Sequence, residues 1–154
     1  LVGWNEILNE NLDKNAICQY WTHNFDKVLE HLRMDRNVVM SELNAVYLNF
    51  PYNLLPLRKT YMYDPIPNEL EQKFYNQILG IEACLWTEYI PNKKRLEWHT
   101  FPRLIAVAEI GWTPKEKKNL QSFLKRLDSF LKRLDFHEIN YASKDEFEKD
   151  EVNS

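Results

Sequence analysis

The chain has 154 residues, 44% of them hydrophobic and 28% charged, and a formal net charge of −3, which is enough apolar material for one core and little more. That mildly acidic balance disfavours nucleic acid or an anionic membrane as partner, since both select a basic surface. No apolar run approaches the roughly 20 residues a bilayer requires, and Leu1-Val2-Gly3-Trp4 shows no basic stretch leading into an apolar one, so the chain as given reads as soluble.

In chain order, Ala16-Ile17-Cys18-Gln19-Tyr20-Trp21 is a mostly apolar run preceded by turn-forming Asn and Asp residues, as a buried parallel strand is. Asn24 is placed to cap a helix over 25–33, whose apolar positions Phe25, Val28, Leu29 and Leu32 recur at helical spacing. Asn37-Val38-Val39-Met40-Ser41 is rich in β-branched residues and predicts a second strand. From Glu42 to Pro67 the pattern breaks, because Pro51, Pro56, Pro65 and Pro67 oppose regular helix, and a loop of that length is usually functional. Asn68 to Gln77 predicts a short helix, and Ile78 to Trp86 a third buried strand.

Phe101-Pro102 then opens a helix through Glu109, and Thr113-Pro114 opens another to about Leu134. In that last helix Leu120, Phe123, Leu124, Leu127, Phe130, Leu131 and Leu134 form one apolar stripe, which packing on a barrel flank explains more simply than a two-heptad coiled coil. Residues 143–154 are polar and acidic and are expected to fray.

Cys18 and Cys84 each sit in an apolar run, where a free buried thiol is the ordinary reading. His23, His31, His99 and His137 show no ligand spacing, so no metal is expected, and the absence of a Gly-rich phosphate loop disfavours nucleotide chemistry. No cofactor is implied. The five Trp, eight Tyr and eight Phe, set against three Gly, supply aromatic faces that stack on sugar C–H bonds, although most rings must lie in the core. On composition alone Trp21 and Trp86 are core residues and Glu88 is a solvated charge.

Alternating strands and helices predict an α/β fold with a parallel sheet. Three such strands do not make a freestanding domain, because a parallel sheet needs cover on both faces and protected edges. In a (β/α)₈ barrel functional residues lie at the C-terminal strand ends, which selects Trp4, Trp21, the Tyr47 region, and Trp86 with Glu88.

Five segments carry a family resemblance. Gly3-Trp4-Asn5-Glu6-Ile7-Leu8, Gln19-Tyr20-Trp21, Tyr47-Leu48-Asn49, Leu79-Gly80-Ile81-Glu82-Ala83-Cys84-Leu85-Trp86-Thr87-Glu88, and Phe101-Pro102-Arg103-Leu104 with Ala108-Glu109 resemble, in order and spacing, the catalytic barrel of the glycoside hydrolase family 20 β-N-acetylhexosaminidases. The resemblance implies that residues 1–142 are the C-terminal half of a TIM barrel, about strands 5 to 8 with flanking helices, while composition makes 143–154 an acidic tail. It implies hydrolysis of terminal β-linked N-acetylglucosamine or N-acetylgalactosamine, with an N-acetylhexosamine-containing glycan and the N-terminal half of the barrel as partners. It leaves the compartment open.

The mechanism so implied is substrate-assisted and retaining: the acetamido carbonyl of the sugar attacks the anomeric carbon and forms an oxazolinium ion. By the same resemblance Trp4, Trp21 and Trp86 wall the acetamido group, Tyr47 donates a hydrogen bond to its oxygen, and Asn49 and Glu88 hold sugar hydroxyls. Two departures stand out. Asn49 replaces the family's Asp, so it can accept one hydrogen bond and donate another, and the element Tyr61-Met62-Tyr63-Asp64-Pro65 follows a short loop that lacks a family Trp, leaving Tyr61 or Tyr63 to line that edge. The family's Asp-Glu pair belongs to the preceding strand, and none of Glu6, Glu10, Glu82, Glu88 and Glu109 replaces it. The alternative expectation is an inactive carbohydrate-binding or degenerate barrel fragment. Trp98, His99 and Trp112 read as structural, and Arg103 and Glu109 as parts of a network holding the last helix.

Overall fold

In the computed structural model of the chain, which describes residues 1–148, four short strands pair in parallel in the order of the sequence. They are β1 (Val2–Trp4), β2 (Ile17–Tyr20), β3 (Asn37–Met40) and β4 (Ile78–Ile81). The chain divides into two compact units, one made of Leu1–Leu43 with Asp64–Glu82 and the other of Asn44–Tyr63 with the chain from Ala83 onward.

The first unit holds the whole sheet and the helix α1 (Phe25–Arg33). The predicted stripe is the one buried: Val28 and Leu32, with Phe25 and Leu29 partly, pack against Cys18, Val38 and Met40 from the strands and Leu70 and Phe74 from the later segment. Cys18 and Val38 are register partners on β2 and β3, so they point to the same side of the sheet, and Gln19 and Val39 point to the other. Asn24 precedes α1 but does not cap it through its side chain. It takes a left-handed conformation, φ 54°, which Asn tolerates, and its carbonyl accepts from the Lys27 N–H at 2.9 Å.

β4 is shorter and more open than a buried strand. Val38 pairs with Ile78 but Val39 with Gly80, so Leu79 is an extra residue on β4. Bulges of this kind put one side chain out of the pleat, and Leu79 is accordingly 52% exposed. Gly80 carries the kink at φ +144°, a conformation that L side chains rarely adopt. The preceding segment is a 3₁₀ helix over Gln72–Gln77 rather than an α-helix over the longer predicted span.

The second unit is helical. The Pro-rich stretch does contain helix: α2 (Leu43–Val46) leads into it, and α3 (Leu57–Met62) begins directly after Pro56. Proline interrupts a helix from within but is compatible with its start, where no donor is required, so the prolines there punctuate rather than forbid. An unpredicted α4 (Lys93–Thr100) has Asn92 as its cap, accepting from the Arg95 N–H. Then follow α5 (Arg103–Trp112), a 3₁₀ turn at Lys115–Lys117 and α6 (Leu120–Phe136), capped by Asn119. Phe123 and Leu127 of the α6 stripe are buried with Tyr52, Leu57, Tyr61 and Ala106.

Part of the expected acidic tail is ordered. Ser143 opens α7 (Lys144–Phe147), its N–H and Oγ both donating to the Glu146 carboxylate at 2.7 and 2.8 Å, and Phe147 is buried in the second core. One apolar anchor and a capping Ser outweigh the acidic composition over these residues; positions 149–154 lie outside the described residues.

Both cysteines are free and buried. Burial, and secondarily the Glu6 charge, push the Cys18 thiol up to about 12. At pH 8 its thiolate population is therefore roughly a thousandfold below that of an ordinary thiol, and the thiolate is the reactive form. Native Cys18 is expected to resist a disulfide reagent for hours while the denatured chain reacts at once, as followed by mass spectrometry of the Cys18 peptide. Labelling at the unfolded rate would contradict the packing described here.

No helix among the described residues is long and apolar enough to cross a membrane.

Candidate active site

In the first unit Trp4 is the last residue of β1 and Trp21 directly follows β2, both half-buried. Trp4 is the register partner of Gln19, which puts it on the sheet face opposite the α1 core. Trp21 is held at two points: its N–H donates to Asn5 Oδ1 at 3.0 Å and its indole Nε1–H donates to Glu6 Oε1 at 2.8 Å. Asn5 and Glu6 belong to the 3₁₀ turn that leaves β1. Gly3 permits that turn to fold back, since a Cβ there would lie 2.7 Å from Ile7 Cδ1.

Gln19 is also buried, and its Nε2 donates to Ser41 Oγ at 3.0 Å and to Glu82 Oε1. A buried amide needs such acceptors. This polar link across β2, β3 and β4 escaped the sequence reading, because a single Gln in an apolar run has no periodic signature. Glu6 and Glu82 are thereby occupied as acceptors, which fits structural work better than proton transfer.

The second unit carries the other four named residues. Tyr47, 6% exposed, forms an isolated parallel bridge with Cys84. The Leu48 N–H donates to the Cys84 carbonyl at 2.7 Å, and the Cys84 N–H to the Val46 carbonyl at 3.0 Å. The Tyr47 ring stacks beside Phe50 with centroids 6.4 Å apart. Asn49 Oδ1 is a buried acceptor with no hydrogen-bond partner among the described residues. Trp86 is 45% exposed and Glu88 lies in solvent, so the expected strand has ended before either.

Behind Leu48 stands a buried cation. Arg103 is fully buried and donates to the carbonyls of Leu48 (2.7 Å), His99 (2.8 Å) and Leu55 (2.9 Å). Its guanidinium lies 4.1 Å from the centroid of the Tyr52 ring. Desolvation lowers the Arg103 pKa, and burial pushes the Tyr52 phenol up to about 12 although Arg103 pulls it the other way. His99, also buried, meets the Leu48 carbonyl through Nδ1 at 3.0 Å.

The expected Arg103 and Glu109 network is thus two networks. Glu109 accepts from Arg126 of α6 through both carboxylate oxygens at 2.5 Å and from the Tyr61 hydroxyl at 3.4 Å, which ties α5 to the last long helix, while Arg103 turns inward. His99, read from the sequence as structural, touches the residue between Tyr47 and Asn49. Tyr61 lines no edge: it is buried against Phe123 with ring centroids 4.7 Å apart. Trp112, 90% exposed, packs on little.

No group of three or more His, Cys, Asp or Glu among the described residues is placed to hold a metal ion. Within the second unit Trp86, Tyr47, Asn49 and Glu88 offer an indole face, a phenol, an amide oxygen without a partner among the described residues and an exposed carboxylate. Such groups recognise a polyhydroxylated ligand through stacking and directional hydrogen bonds.

Comparison with known proteins gives a consistent picture. Residues 1–115 match the model of the glycosyl hydrolase family 20 catalytic domain. The chain is 36% identical over 153 residues to a beta-hexosaminidase of Porphyromonas gingivalis, covering 92% of the chain and 20% of that relative. It is 29% identical over 142 residues to a beta-N-acetylhexosaminidase of Cellulomonas fimi, covering 82% of the chain and 28% of that relative.

Among solved structures, the family 20 exo-beta-N-acetylglucosaminidase of Vibrio harveyi in complex with N-acetylglucosamine superposes with a TM-score of 0.83 at 29% identity, over 92% of this chain and 24% of that one. The family 20 beta-N-acetylhexosaminidase of Streptomyces coelicolor A3(2) gives 0.83 at 25% identity, over 97% and 33%. The chain therefore spans about a fifth to a third of the length of these relatives. Its parallel sheet and helices are the α/β fold of a portion of their (β/α)₈ barrel.

Proposed function

The chain belongs to glycosyl hydrolase family 20, and from that premise we propose that it supplies the C-terminal half of a catalytic barrel that removes terminal β-linked N-acetylhexosamine. The observation that carries the reading is the position of Trp4 and Trp21 at the C-terminal ends of adjacent parallel strands, where barrel enzymes place their functional side chains. Support comes from Asn49 Oδ1, a buried acceptor without a donor among the described residues. Burying such an atom costs free energy that a ligand hydroxyl would recover.

In this reading the reaction is substrate-assisted. The acetamido oxygen of the sugar attacks the anomeric carbon, the glycosidic bond breaks, and its oxygen leaves with a proton from a carboxylic acid upstream of this chain. Water then opens the oxazolinium ring and restores the acetamido group with retained configuration. Trp4, Trp21 and Trp86 exclude water from the acetamido group and keep it in attack geometry. Tyr47 donates to its oxygen, and Asn49 and Glu88 engage sugar hydroxyls. Asn49 serves as one acceptor and one donor where the family has a carboxylate, which alters strength and selectivity but does not abolish the contact.

The test is hydrolysis of a chromogenic β-N-acetylglucosaminide by this chain alone and by a polypeptide extended upstream through four further strands. Turnover by the extended form only is the expected result. A folded but silent extended form would favour the carbohydrate-binding reading, with Asn49 the first suspect. Activity in the short chain would overturn the placement of the acid.

A further inference from the structure

We propose that His99 and Arg103 are positioning residues for Tyr47 and Asn49, acting through the main-chain carbonyl of Leu48 that lies between them. The proposal rests on the sugar-binding role given above to those two side chains. Nothing in the sequence pattern of α4 or α5 suggests it, because His99 and Arg103 are separated from Leu48 by about fifty residues of chain.

The argument begins with the two peptide groups around Leu48. Each is planar, so fixing the N–H of one and the C=O of the next sets the dihedral angles at Leu48 and the directions in which Tyr47 and Asn49 leave the backbone. The N–H is fixed by the Cys84 carbonyl at 2.7 Å. The carbonyl has two lone pairs, and both are used, one by Arg103 Nη2 at 2.7 Å and one by His99 Nδ1 at 3.0 Å. To donate there, the His99 ring carries its proton on Nδ1.

The two donors are themselves buried and held. Arg103 also holds the His99 carbonyl and the Leu55 carbonyl and lies over Tyr52, and neither Arg103 nor His99 reaches solvent. Bonds of this kind are stronger in a low-dielectric interior, most of all when the donor is charged. Burial lowers the pKa of both groups.

No carboxylate among the described residues pairs with Arg103, so its donors go to main-chain carbonyls, which they stabilise and also fix in direction. A buried cation aimed at main-chain carbonyls fixes geometry, and here one of those carbonyls joins the phenol to the unpaired amide oxygen.

The experiment compares His99→Leu, which removes the donor at similar volume, with His99→Gln, whose amide can still reach the carbonyl. Arg103 is left in place so that both variants fold. In an isotope-labelled polypeptide that carries the complete barrel, the Leu48 carbonyl ¹³C resonance is expected to move upfield in His99→Leu and to return in His99→Gln, with the Tyr47 and Asn49 side-chain resonances following it. N-acetylglucosamine affinity, titrated on the same resonances, is expected to fall about tenfold in His99→Leu, the effect of losing one buried hydrogen bond, and to recover in His99→Gln. A purely packing role would lower the melting temperature of both variants without separating them.

The proposal is overturned if His99→Leu leaves the Leu48 carbonyl and the Tyr47 and Asn49 resonances in place. A complete barrel with the native sequence whose Tyr47 and Asn49 resonances ignore the sugar would instead remove the sugar-site reading, and the Leu48 carbonyl would still decide the clamp.

Discussion

Replacing Tyr47 with Phe in a polypeptide that carries the complete barrel is expected to lower kcat for a β-N-acetylglucosaminide by roughly 10²-fold, the order of loss when a reacting group slips by about 1 Å from attack geometry. The acetamido oxygen becomes part of a ring that carries positive charge, and in the reading above the phenol holds this oxygen in line while the charge spreads. An interaction needed most in the transition state is lost from kcat and kcat/KM together, with KM little changed. The ring is 6% exposed and packed beside Phe50, so Phe occupies the same volume and the fold is preserved. An equal fall in kcat and kcat/KM supports the role. A rise in KM alone would make Tyr47 a binding residue, and no effect would remove it from the site.

Arg103→Met is expected to destabilise the second unit by about 3 kcal/mol, a figure built from carbonyls left unpaired at ~1–3 kcal/mol each and reduced by release from burying a charge. Met fills the space of the stem but donates nothing to Leu55 or to His99, and Leu48 keeps only the His99 contact. Thermal unfolding would register this as a fall of roughly 10 °C for a chain of this size. Arg103→Lys is expected to recover little, because a single ammonium cannot span carbonyls arranged around a planar fork. A melting temperature within 2 °C or so of the native chain for Arg103→Met would show that the guanidinium is dispensable to the fold.

Elements whose evidence is local were legible in the sequence. The α1 span follows from four apolar residues at helical spacing, and the same residues form its buried stripe. β2 and β3 were legible because parallel strands buried on both faces read as continuous apolar runs. The segments at Trp4, Trp21, Tyr47 and Trp86 carried the family resemblance, which the family match over residues 1–115 then established. Errors arose where one residue changes meaning with context: Pro56 starts a helix, Asn24 sits before one without capping it by its side chain, and Gly80 bends a strand that hydropathy reads as straight. The acidic composition around residue 145 concealed Phe147.

By itself the sequence determined the α/β class, the helix stripes, the free state of Cys18 and Cys84, and which aromatic residues to watch. These follow from spacing within one or two turns of chain and from side-chain volume, which are properties of neighbours along the backbone. Only the tertiary structure decided what holds those residues: Glu6 on the Trp21 indole, Gln19 between Ser41 and Glu82, and the two donors on the Leu48 carbonyl. The physical reason is that a hydrogen bond depends on direction and distance in space. The partners that immobilise Leu48 stand 51 and 55 residues away, a separation over which no periodicity of the sequence carries information about geometry.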